Sequence, residues 1–233
     1  MKTIQQHGFT LIEIAMVLFI VTLLLAGLVP TITSQMEQQR TNETRKQMSD
    51  IKDALIGFAL INGRLPCAAD PNLVTGASGA GLERTCTSAT NATGVLPWAT
   101  LGTSEIDGWG RRFTYRVTYT FADTIVETCA PTTGISFQLC SEGNLDVLST
   151  TSSGINVATK LPAIIISHGK NGAGAWTQKG IQLATSSDAD EAENSNTNTT
   201  YISHIPTSGF DDLVVWITPN ILYNRMVTAG KLP

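Results

Sequence analysis

Charge is scarce in this chain. Asp, Glu, Lys and Arg together supply 15% of its 233 residues, and the balance is acidic, −4 at pH 7. A chain so poor in cations has no general basic face with which to hold nucleic acid. Cysteine is sparse too: Cys67, Cys86, Cys129 and Cys140 form no C-x-x-C pair, and the three histidines stand at no ligand-like spacing from them. That argues against a zinc site. The signatures of common enzymes are missing. There is neither a G-x-x-x-x-G-K-[ST] phosphate loop nor a G-x-S-x-G elbow, and no nucleophile–base or metal set stands out. No catalytic and no cofactor-binding residues are therefore assigned, and the chain is read as a non-enzyme. No internal repeat is visible.

What is present is concentrated at the N-terminus. Met1–Gly8 is polar and carries one cation, Lys2; Phe9–Val29 then runs apolar, interrupted only by Thr10, Glu13, Thr22 and Gly27. At about 1.5 Å rise per residue, a helix of this length covers the roughly 30 Å of a bilayer core. No small-residue A-x-A cleavage site follows the run, and it exceeds a secretory h-region. After Lys2 the next Lys or Arg is Arg40, which places the N-terminus on the cytoplasmic side and the remainder in the periplasm. Glu13 is the anomaly. A carboxylate inside a span costs at least about 2.5 kcal/mol on insertion scales, so it marks function. With no cation near it in this chain, its partner is expected from another molecule.

Gly8-Phe9-Thr10-Leu11-Ile12-Glu13, set between a short polar leader and a long apolar helix, resembles the N-terminus of type IV pilins and type II secretion pseudopilins. The resemblance implies a cut by prepilin peptidase between Gly8 and Phe9, N-methylation of the new Phe9 amine, and pairing of Glu13 with a neighbouring subunit's N-terminus. It further implies other pilin or pseudopilin subunits and an inner-membrane assembly platform as partners, and a lollipop-shaped pilin fold. Asp107-Gly108-Trp109-Gly110-Arg111, followed by an aromatic strand, resembles a second pseudopilin segment, with Gly108 where Pro is usual and Trp109 as a loop anchor.

The remaining chain reads as α+β. Four parts are expected: a leader at 1–8, a transmembrane and assembly helix at 9–30, an amphipathic helix at 31–62, and a periplasmic β domain with a C-terminal helix at 63–233. Met48, Ile51, Leu55 and Phe58 make one apolar stripe on the second part, which continues the first beyond a kink at Pro30 and stops at Asn62-Gly63. This helix should lie across an antiparallel sheet of about four strands. Phe113–Phe121 alternates with period two, while Ala163–Ser167 and Leu213–Ile217 are continuous apolar runs expected at the sheet centre; Ile135–Cys140 is a further candidate. Thr218-Pro219-Asn220 opens the C-terminal helix and Gly230 closes it.

Beyond the membrane the cysteines meet an oxidising compartment, where disulfides are favoured. Of three possible connectivities, the local pairs Cys67–Cys86 and Cys129–Cys140 are preferred, the first holding the long connection 64–111. Ser167-His168-Gly169-Lys170-Asn171-Gly172 reads as a glycine-rich turn after a buried strand. The acidic segment 187–198 is dense in oxygen donors, with Asp188 and Asp190 as calcium candidates, although its spacing departs from an EF-hand and a solvated loop is the plainer reading. Asp211-Asp212 reads as a strand-edge pair facing solvent. Two functions fit these features. One is a structural subunit, of the minor kind, in a pilus or pseudopilus. The other is a membrane-anchored periplasmic binding or adhesive domain that never polymerises and uses 64–111 and 141–160 as its recognition surface.

Overall fold

In the computed structural model the described residues are 10–86, 88–125, 136–152 and 154–232, without the side chains of 25–31 and 89. The chain divides into two compact units, Met1–Asn42 and Glu43–Pro233. One helix, α1 (Leu11–Asn62), contributes to both. Its first described stretch, 10–24, is exposed all round, with Leu11, Leu18 and Phe19 at 87%, 59% and 64%.

In the second unit, α1 places Thr44, Met48, Ile51, Leu55 and Ala59 in the interior, each at most 1% exposed. Their three- and four-residue spacing is the expected stripe, with Ala59 in place of Phe58. Phe58 instead lies under the Arg64 guanidinium, 5.4 Å from the ring centroid. The helix stops at Asn62 because Gly63 takes φ +69°, from which its N–H reaches the Ala59 carbonyl at 2.8 Å.

The stripe packs on a four-stranded antiparallel sheet ordered β1 (Thr93–Val95), β2 (Thr114–Val117), β5 (Ala163–Ser167), β7 (Leu213–Ile217). The aromatic strand is shorter than its alternation suggests: after Val117 the chain turns into a 3-10 turn, Tyr119–Phe121. Phe113, Tyr115 and Val117 all face the core with α1. The C-terminal helix α4 (Pro219–Thr228) adds Leu222 and Met226 to the same core, and Gly230 follows it at φ +65°.

A second sheet lies beyond the first. It is ordered β4 (Asn156–Leu161), β3 (Leu145–Leu148), β6 (Thr200–Ile202), with β3 and β6 parallel. Leu145, Val147, Leu161 and Tyr201 from this sheet meet Ile164 and Ile166 of β5, and Val214 and Trp216 of β7 pack against them. This explains a correction. Leu213–Ile217 forms an edge strand, not a central one, and is apolar throughout because alternate residues pack into the cores on its two faces. Segment 141–160 contributes β3 and most of β4 to this sheet, with Asn156, Val157, Thr159 and Lys160 of β4 exposed. Among the described residues of 135–140 there is no strand.

Among its described residues the connection 64–111 holds a 3-10 turn (Ala89–Ala92), β1 and α2 (Trp98–Leu101), and several ties. Cys67 and Cys86 are bridged, with Cα atoms 5.6 Å apart. Cys140 is disulfide-bonded as well, and Cys129, its expected partner, lies outside the described residues. A tie that sequence patterning passes over is Arg112. Fully buried, it contacts Glu105 Oε1 at 2.9 Å, donates to the carbonyls of Pro71 and Leu73 at 3.1 and 2.8 Å, and stacks on Trp98 at 4.7 Å.

Candidate functional site

At the N-terminus, Thr10 and Glu13 lock the first turn of α1. Glu13 Oε2 accepts from the Thr10 N–H and from its hydroxyl, both at 2.8 Å, while the Glu13 N–H reaches Thr10 Oγ1 at 3.3 Å. This reciprocal pair is a capping box, the T-x-x-E pattern that satisfies two orphan donors at a helix start. Further along, Thr22 folds its hydroxyl back onto the carbonyls of Leu18 and Phe19, each at 2.9 Å. Thr10, Glu13 and Thr22 are thus hydrogen-bonded within the helix itself, leaving its outer surface to Leu, Ile, Val, Met and Phe. Among the described residues no helix is long and apolar enough to cross a membrane. Part of the expected span, 25–29, falls where side chains are not described, and Gly8 and Phe9 lie outside the described residues.

Residues 4–29 match the family described as the prokaryotic N-terminal methylation motif. The chain carries the pilin-type N-terminal signature. It is the signature of type IV pilins and pseudopilins, a structural class, and it implies processing by a prepilin peptidase and assembly with other pilins. No curated protein and no solved structure matches the chain. The helix on an antiparallel sheet described above is consistent with a pilin-like fold.

In the second unit the glycine-rich turn behaves as its sequence suggests. The Gly172 N–H closes it on the His168 carbonyl at 2.9 Å, and Gly169 and Gly172 take φ +54° and +62°. A Cβ on Gly172 would meet Arg111 Nε at 1.8 Å, so the turn and the D-G-W-G-R segment fit together only with glycine there. In that segment Asp107 is an anchor that the sequence reading did not single out. Its Oδ1 accepts the N–H groups of Trp109 and Arg111, and its Oδ2 accepts the buried Ser167 hydroxyl at 2.6 Å.

Asp188 and Asp190 have roles other than the ones expected of calcium ligands. Asp188 is the N-cap of α3 (Ala189–Glu193), with Oδ1 accepting the N–H groups of Asp190 and Glu191. Asp190 Oδ1 takes the Thr150 hydroxyl and both the N–H and hydroxyl of Thr151, and His204 Nε2 stands 3.3 Å from Oδ2. Burial pushes the Asp190 carboxyl up, but the Thr151 and Thr150 bonds and His204 together hold it below the ordinary aspartate value. Both residues serve to fasten α3 to its surroundings.

The convergence that the structure does make is elsewhere. Glu191, Asp211 and Asp212 each present a carboxylate oxygen, all within 4.8 Å of one another. Glu191 and Asp212 are 1% and 3% exposed, so Asp212 does not face solvent as expected, whereas its neighbour Asp211 is half-buried. The reason lies in register. Ser167 pairs with Leu213 across β5 and β7, which sets Asp212 beside His168, on the same face as Val214 and Trp216. Burial pushes Asp211 up to about 6; the Asn171 N–H opposes this, and neighbouring Glu191 and Asp212 add to it. Sequence reading placed Glu191 in an acidic loop and Asp212 at a strand edge but not the two together in the interior, because they are 21 positions apart and meet only once that register exists. Period-two alternation from Val214 back to Asp212 was the available signal.

Proposed function

We propose that this chain is a structural subunit, of the minor kind, in a type IV pilus or type II secretion pseudopilus, with no catalytic chemistry of its own. The observation that carries the reading is the methylation motif at 4–29. Before assembly the chain is a single-pass inner-membrane protein with the leader in the cytoplasm and residues 63–233 in the periplasm. Prepilin peptidase cuts between Gly8 and Phe9, and the Phe9 amine is methylated. The exposed apolar helix supports the rest. Such a surface has no place in water, so a subunit leaving the bilayer must bury it against its neighbours. Glu13 then meets the Phe9 amine of the next subunit, joining two charges that are each costly alone.

Processing is tested by N-terminal sequencing of membrane-extracted protein, which should begin at Phe9; an intact Met1 in the filament pool overturns the reading. The role of Glu13 is separated from its capping by a pair of variants. Glu13→Gln retains the T-x-x-Q box but removes the charge, whereas Glu13→Ala removes both. Both variants should insert into the membrane as wild type does and lose incorporation into filaments alongside co-expressed wild type. Full incorporation of Glu13→Gln would show that the side chain serves the helix start alone.

A further inference from the structure

We propose that the pocket between strand β1 and the loop 195–197 is a binding site for an acidic sugar, a pyranose that carries a carboxylate. It lies within the second unit and rests on no part of the assembly reading. The cavity is about 240 Å³, and among the described residues no Asp or Glu lines it. The chain has 19 acidic residues against 15 basic ones, so a wall that holds an arginine and no acid calls for a reason.

The cation in the wall is Arg84, which is half-buried. Two other arginines of this unit have carboxylates of their own: Arg64 pairs with Glu83 at 2.8 Å and Arg112 with Glu105 at 2.9 Å. Arg84 forms no ion pair among the described residues. Its Nε donates to the Ala68 carbonyl at 3.1 Å, and its Nη2 donates to the carbonyls of Asn91 and Thr93. Neutral dipoles thus fix the guanidinium, while Nη1 has no hydrogen-bond partner among the described residues. Gly94 leaves room for it, since a Cβ there would stand 3.0 Å from Arg84 Nη2. Burial disfavours the Arg84 charge, and Asp70, which opposes this from a distance, commits its Oδ1 to Asn72. Arg116 brings a second cation to the same strand. Its Nη1 donates to Thr93 Oγ1 and to the Thr197 carbonyl, and its Nε is buried with no hydrogen-bond partner among the described residues. Two guanidiniums therefore meet at Thr93 without a carboxylate in contact with either, an arrangement that an anion would complete.

A bare carboxylate would leave the rest of the wall unused. Asn72 and Gln182 engage their amide nitrogens internally, on Asp70 Oδ1 at 3.1 Å and the Gly174 carbonyl at 3.0 Å, which leaves their amide oxygens as acceptors. Acceptors call for donors, which an ionised carboxylate lacks and sugar hydroxyls supply. Thr90 and Thr197 add exposed hydroxyls to the wall. Trp176, half-buried and bridged to Gln182, supplies an aromatic ring for the apolar side of a pyranose. The volume lies below the roughly 300–1,000 Å³ of drug-sized sites, which suits one ring better than an extended chain.

The test titrates the full-length chain in detergent, by calorimetry, with glucuronate, galacturonate, their neutral parents glucose and galactose, inorganic phosphate, and acetylated aspartate amide. One of the two uronates should bind, and its neutral parent, phosphate and the aspartate amide should each bind at least about tenfold more weakly. Arg84→Gln should weaken that uronate at least about tenfold and leave the neutral sugar unchanged. Should Arg84→Gln fail to fold, Gln182→Ala, which alters an exposed side chain, should still weaken the uronate about threefold or more. A neutral sugar that binds as tightly as its uronate overturns the proposal. Phosphate or the aspartate amide binding as tightly overturns it too, in favour of a simple anion site or an acidic peptide. So does a chain that binds neither uronate, or one whose Arg84→Gln and Gln182→Ala variants bind the uronate as wild type does.

Discussion

Leu18 and Met48 sit on the same helix, and both are large, apolar and unbranched at Cβ. Leu18 is 59% exposed and Met48 is fully buried. Nothing in local propensity separates them, since Leu and Met rank together as helix formers. The difference is what each unit offers its own side chains. Residues 43–62 of α1 have a sheet, a C-terminal helix and the Phe121–Phe137 stack to close over them. The described side chains of 10–24 have no such cover and stay exposed. A single helical segment therefore carries two kinds of apolar surface, one already satisfied by the fold and one left for surroundings the fold does not include.

The comparison breaks most sharply under truncation. Met48→Ala should cost about 2–5 kcal/mol in the unfolding of the second unit, whereas Leu18→Ala should leave that transition where it was. Chemical denaturation of both variants in one detergent checks this; equal losses would mean that the exposed stretch contributes to the folded core. Next in size is the bridge across the long connection. Replacing Cys67 and Cys86 by Ala opens a loop of sequence separation 19, worth about 3 kcal/mol on the chain-entropy model. Unfolding should nevertheless stay cooperative, because Arg112 still holds Glu105 and the carbonyls of Pro71 and Leu73. A loss of cooperativity would assign the fastening to the disulfide alone.

The smallest effect concerns Asp123, which burial pushes above its ordinary value of 3.8 although Ser136 and the Ile125 N–H oppose the shift. A raised carboxyl contributes stability that is fully present below the unfolded value and is lost as pH rises through the folded one. Asp123→Asn should therefore flatten the decline in melting temperature on going upward from pH 3.8. An unchanged slope would place the titration on another group.

Legibility in the sequence followed the range of the forces involved. The stripe on α1, its stop at Gly63, strand β5 and the Pro-led α4 are written in spacings of two to four residues, and each is where patterning puts it. The second sheet was hidden. Its strands β3 and β6 are parallel and separated by more than fifty positions, so no hairpin signal announces them. The apolar character of Leu213–Ile217 was read as centrality because sequence reports that both faces are covered but not by what. Asp188 and Asp190 drew attention through local acidity, and in the fold they cap α3 and fasten the Thr150–Thr151 loop. The burial of Asp212 against Glu191 went unread for the opposite reason, since their neighbourhood is created by strand register. At the N-terminus the motif was legible in full, while Glu13 proved to have a local partner, Thr10, beside the intermolecular one its position suggests.

The Thr10–Glu13 box has a consequence for maturation. Both partners lie on the same side of the Gly8–Phe9 junction, so a cut there severs neither the hydroxyl nor the carboxylate from its mate. A product of the proposed cut would keep this helix start already formed. Under the proposed processing, the helix start would therefore be the same in precursor and product, and the cut would act on the charge beside it.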